Sequence, residues 1–127
     1  MQIVGLDHVQ LAMPPGGEAE ARRFYGEVLG LAEVEKPAPL AAKGGCWFAG
    51  PDTAVHLGVQ ADFVAARKAH PAFRVANLEA CRRALEVAGV AAIPDTSVEG
   101  VQRLHAFDPF GNRLEFIQAG DSFPRHS

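Results

Sequence analysis

The sequence predicts an α+β fold made of one strand–helix–strand–strand module used twice, and three observations carry that expectation. Several short stretches alternate apolar and polar residues with the period of a strand, and two longer ones repeat apolar residues at the three- and four-residue spacing of a helix. The order of these stretches in the first half of the chain recurs in the second. At 127 residues the chain suits one domain, residues 1–127, burying roughly two-thirds of the surface its unfolded form would expose.

The first element is "LDHVQLAM" (6–13), with Val9 and Leu11 on one face and His8, Gln10 and Ala12 on the other. A helix follows in "EAEARRFYGEVLG", where Ala21, Phe24 and Val28 form the apolar stripe, Gly16 and Gly17 precede it and Gly30 stops it. After the Pro-, Ala- and Gly-rich connection 37–45, "CWFAG" and "TAVHLGV" read as two strands turned at Gly50, Pro51 and Asp52. A weak further strand falls in 31–42. These elements make a first module over about 3–60.

A second module, about 68–119, repeats the pattern. "HPAFRV" (70–75) alternates as a strand. "NLEACRRALEVAG" (77–89) reads as a helix capped by Asn77 and stopped at Gly89, burying Leu78, Cys81, Leu85 and Ala88. "VQRLHAF" (101–107) and "RLEFIQ" (113–118) are strands joined by the turn residues of "DPFGN". Aligning the modules sets His8 opposite His70 and His56 opposite Glu115, so four residues awkward for an apolar strand occupy two positions, each used twice.

Alternation assigns Val9, Leu11, Val55, Leu57, Val59, Phe73, Val75, Leu114 and Phe116 to the face that packs on the helices, and His8, His56, His70, Arg74 and Glu115 to the other. Pairing Phe107 with Arg113 across the last turn puts His105 opposite Glu115 and Arg103 opposite Ile117. Mapped onto the first module, His105 corresponds to Cys46, which is expected to look into the same space. Two imidazoles and a carboxylate, with or without a third imidazole, suit a divalent transition metal: Zn, Ni, Fe, Mn or Co.

An apolar share of 48%, a charged share of 21% and a net charge of −3 give no basic footprint for nucleic acid. The start "MQIVGLDHVQ" lacks a basic leader with an apolar run, and no stretch nears the ~20 apolar residues of a membrane helix, so a cytoplasmic protein is expected. Cys46 and Cys81 are too few for a disulfide framework and are expected to be reduced thiols.

"GLDHVQLAM", "RRFYGEVLGL", "HPAFRV" and "DPFGNRLEFIQ" together resemble the glyoxalase, bleomycin-resistance and extradiol dioxygenase superfamily, the vicinal oxygen chelate fold. The resemblance implies two tandem βαβββ modules forming a curved mixed sheet around a cavity, with helices on the outer face. It places metal ligands on the first and last strands of each module, here His8, His56, His70 and Glu115. His56 departs from the carboxylate that glyoxalase I-like members often carry there. The mechanism implied is metal chelation by two neighbouring oxygens of a small oxygenated metabolite, with His105 as candidate base, Glu115 as ligand, and Arg74 and Arg103 for an anionic group. Cys46 is a further candidate for the substrate cavity, and a homodimer is implied by analogy. The alternatives are a metal-free, drug-binding protein of the bleomycin-resistance kind and a fosfomycin-type thiol transferase.

Overall fold

The structure, a computed structural model, describes residues 1–125. It divides into two compact units at Ala65 and Ala66, and the same sheet is built in each. In the first, β1 (Val9–Met13), β2 (Ala32–Val34), β3 (Cys46–Ala49) and β4 (Ala54–Val59) lie in the order β1-β4-β3-β2. β1 runs parallel to β4 and the other pairs are antiparallel. In the second, β5 (Ala72–Val75), β6 (Ile93–Asp95), β7 (Arg103–Phe107) and β8 (Arg113–Gln118) take the order β5-β8-β7-β6 with the same senses. The α+β class and the repeated module therefore hold, each module carrying its own open mixed sheet.

The helix of the first unit opens as α1 (Glu18–Ala21) and continues as a π-helical stretch (Arg22–Val28), closed by the five-residue bond Leu29 N–H to Phe24 O at 2.9 Å. Two consecutive aromatics, Phe24 and Tyr25, are buried there, and Tyr25 stacks on Phe48 with ring centroids 5.8 Å apart. Val28, expected in the stripe, is half-buried. A one-turn helix, α2 (Ala38–Ala41), occupies the connection before β3. Met13, Val55 and Leu57 complete this core. Val59, at the end of its strand, is exposed rather than packed.

In the second unit α3 (Leu78–Val87) is capped as expected, Asn77 Oδ1 accepting from Ala80 N–H at 3.0 Å. Leu85 is fully buried, Leu78 and Cys81 half-buried, and Ala88 exposed because it is already the C-cap. Val101, Leu104, Ala106, Leu114, Phe116 and Ile117 are the other buried apolar residues of this unit. Strand β6 stood in no alternating stretch: it is three residues long, carries Pro94 in its middle, and lies at the sheet edge, where a missing N–H is tolerated. Among the described residues no helix is long and apolar enough to cross a membrane.

Candidate metal centre and its cavity

The β7–β8 hairpin positions the site. Asp108 Oδ1 accepts from Phe110 N–H (2.9 Å) and Asn112 N–H (2.8 Å), and Gly111 takes φ 89°, so the five-residue turn holds one register. That register pairs Phe107 with Arg113, His105 with Glu115 and Arg103 with Ile117, as alternation predicts. Leu114 and Phe116 point to the core, leaving Glu115 on the opposite face beside His105; both are nonetheless buried. β5 pairs Ala72 with Glu115, bringing His70, two residues upstream, to the same carboxylate. His70, His105 and Glu115 offer one ligand atom each within 4.8 Å of one another.

The protonation of His70 follows from its two partners. Its Nδ1 lies 2.7 Å from the Lys68 carbonyl, which can only accept, so Nδ1 carries the proton. Its Nε2 lies 2.9 Å from Glu115 Oε1. In the neutral ring that places a lone pair against a carboxylate oxygen, an arrangement that needs either a second proton or a cation between the two atoms. An imidazole whose far N–H is held by a backbone carbonyl is the usual preparation for metal ligation. A separation of 2.9 Å fits two atoms that each stand about 2 Å from one ion.

His105 and Arg103 are held by a residue that the sequence reading did not single out, Asp95 on β6. Asp95 Oδ2 lies 3.1 Å from His105 Nε2 and 2.9 Å from Arg103 Nη2, while Oδ1 accepts from the hydroxyl (2.6 Å) and N–H (2.9 Å) of Ser97. These bonds, the Ser97 hydroxyl first, hold the Asp95 carboxyl well below the usual carboxylate range. His105 Nε2 lies between Asp95 Oδ2 and Arg103 Nη1, the latter at 3.3 Å, while its Nδ1 is buried and without a hydrogen-bond partner among the described residues. The donor set thus contains an orphaned imidazole nitrogen and a second imidazole nitrogen set against a carboxylate, and it fits a divalent ion. No sequence periodicity marks Asp95; only the β6–β7 register, Asp95 opposite Arg103, brings it in.

Arg103, expected to hold a substrate anion, is instead committed inside the protein. Its Nη1 lies 3.2 Å from Glu115 Oε1, its Nη2 donates to Ser97 Oγ at 2.9 Å, and the Phe123 ring covers its guanidinium at 5.1 Å. Arg74 is exposed and borders a cavity of about 360 Å³, lined also by Glu115, Ile117, Ser122, Phe123 and Arg125.

In the first unit the equivalent positions carry rings. His8 and His56 stack with centroids 4.1 Å apart and planes at 17°, and Trp47 stacks on His56 at 4.0 Å and 5°. Asp7 lies 2.8 Å from His8 Nδ1. Burial, and next the neighbouring His8, push the His56 pKa below its ordinary value. Cys46 corrects an expectation: it pairs with Leu57 on the core face, while Trp47 pairs with His56. Trp47, not Cys46, is therefore the counterpart of His105, and the one-residue offset turns the thiol away from the histidine face. Burial raises its pKa to about 11.

The sequence matches the Glyoxalase/Bleomycin resistance protein/Dioxygenase superfamily over residues 5–116, and the chain belongs to that superfamily. Its members commonly bind divalent metals and act on or hold small molecules. The fold is shared with a putative glyoxalase family protein from Bacillus anthracis, 44% identical over 93% of this chain and 97% of that one, with a TM-score of 0.89. Two more distant structures share the fold. One is the fosfomycin resistance protein FosX of Listeria monocytogenes, in complex with Mn(II) and a dihydroxypropylphosphonic acid (15% identity, 92% and 93% coverage, TM-score 0.75). The other is TnmS3, an antibiotic binding protein from Streptomyces sp. CB03234 (20%, 92% and 98%, 0.69). Among curated proteins none matches significantly.

Proposed function

We propose that this chain is a metal-dependent enzyme acting on a small oxygenated metabolite, glyoxalase I-like or a relative, with its metal held by His70 and Glu115. One observation carries the reading: His70 sets its Nε2 2.9 Å from a buried carboxylate while its Nδ1 is held by a backbone carbonyl, with a further imidazole, that of His105, in the same cluster. A bound divalent ion would supply a Lewis acid that stabilises negative charge on neighbouring substrate oxygens. The chain's own residues do the rest. The Lys68 carbonyl orients His70, Asp95 orients His105, and His105 serves either as third ligand or as the group that takes a proton. The superfamily pattern offers His8 as the competing third ligand, with His56 beside it, and a site shared across a homodimer.

Elemental analysis of tag-free protein tests this. Wild type is expected to hold about one divalent ion per chain, lost in Glu115→Gln and His70→Ala; a wild type that cannot be loaded overturns the proposal. Whichever of His105→Ala and His8→Ala also loses the ion identifies the third imidazole. Activity assays with methylglyoxal plus thiols, catechols and fosfomycin then separate the chemistries.

A second reading, a metal-free binding protein, draws support from Arg103, which already sets a cation against Glu115. It requires wild type to bind an organic ligand equally well before and after chelation.

A further inference from the structure

We infer that the tail after β8, Ser122 to Arg125, builds one wall of a site for a small organic anion with an apolar body, and that Arg74 and Arg125 are its charge contacts. The tail is tied down. Asp121 Oδ2 accepts from Gln102 N–H at 2.8 Å, and Arg74 donates from Nε to the Asp121 carbonyl (3.3 Å) and from Nη2 to Ser122 Oγ (3.0 Å). The same bonds orient Arg74. Its Nη1 has no partner among the described residues, and Arg74 borders the cavity. Arg125 borders the cavity too and makes no hydrogen bond or ion pair among the described residues.

Charge then selects the ligand. Among the described residues the one acidic group lining the cavity, Glu115, is answered by Arg103 at 3.2 Å, so Arg74 and Arg125 are left in excess. Guanidinium groups with open donors bind carboxylates and related oxyanions by charge-assisted hydrogen bonds. Ile117 and Phe123 give the cavity an apolar wall, and about 360 Å³ lies at the small end of ligand sites. The ligand class is therefore a compact organic anion, and not the cationic drug that an acidic pocket would take.

The inference deepens the functional reading by using the cavity beside Glu115, and its test removes the metal so that the two can fail separately. Full-length, chelator-treated protein is titrated with benzoate and with its neutral isostere benzamide by calorimetry or NMR. Benzoate is expected to bind saturably and about tenfold more tightly than benzamide. Arg74→Gln is expected to abolish that preference, Arg125→Gln to reduce it, and Phe123→Ala to weaken both ligands alike. Arg125→Gln keeps the test open should Arg74→Gln fail to fold, because Arg125 lies outside the sheet and has no hydrogen-bond or ion-pair partner among the described residues to lose. Absence of saturable benzoate binding, equal affinity for the two ligands, or a preference unchanged in both arginine variants overturns the inference. Metal binding by wild type bears on none of these outcomes.

Discussion

Glu115 is 3% exposed on a strand whose neighbours Leu114 and Phe116 fill the core, and it is tolerated there because Arg103 and His70 face it. Removing one partner of a buried pair costs more than the pair contributes, since the remaining charge is stranded. Arg103→Ala leaves the buried Glu115 with His70 alone, so a loss of about 3 kcal/mol in urea unfolding is expected. Asp95→Asn keeps the shape but weakens the hold on His105; metal affinity should fall roughly tenfold to a hundredfold while the far-UV spectrum is unchanged. The thiols give a pH prediction. Burial pushes Cys46 and Cys81 up to about 11 from an ordinary 9.0, so the folded chain keeps protons that the unfolded chain loses. That stability is fully present below pH 9 and is lost as pH rises from 9 toward 11; denaturation midpoints across that range should decline less in Cys46→Ala. Glu115, His70 and His105 were legible because alternation is local, each side chain's face following from its neighbours' in the same strand. Cys46 was misplaced by one residue because two short strands can be aligned either way until hydrogen bonding sets the register.

At the scale of elements, caps and turns were legible and irregularities were not. Asn77 caps α3 through its own side chain, and Asn77→Ala should cost about 1 kcal/mol in thermal or urea unfolding. Gly45 enters β3 at φ 84°, and an added Cβ would stand 2.3 Å from the Leu57 carbonyl oxygen. Gly45→Ala should therefore lose more than the ~1–2 kcal/mol of a left-handed backbone alone. A stability within about 0.5 kcal/mol of wild type would contradict that crowding. The π-helical turn after Ala21 escaped prediction, and the short strand β6, implied by the βαβββ resemblance, was not located, for one reason: neither carries a regular period. Tyr25 is buried by a widened turn, and β6 by its pairing with β7.

Over the whole molecule the repeat is the main fact, with the same strand order and senses in both halves and the same placement of special residues. Gln10 pairs with His56 as Ala72 pairs with Glu115, and His8 and His70 each stand two residues before that point. The homodimer proposed from the superfamily predicts a sedimentation mass of twice 13.5 kDa, and a single-chain mass at micromolar concentrations would count against it. Composition and alternation by themselves determined the α+β class, the two modules, the face that carries His8, His56, His70 and Glu115, and the pairing of His105 with Glu115. Those properties depend on side chains a few residues apart or on one tight turn. Tertiary structure alone decided that Asp95 orients His105, that Arg103 is committed to internal partners, that Trp47 stands where Cys46 was expected, and that the tail walls the cavity. Each of these depends on which residues face one another across strands and loops, set by cross-strand hydrogen bonding and packing, to which a period of two or of 3.6 residues carries no information.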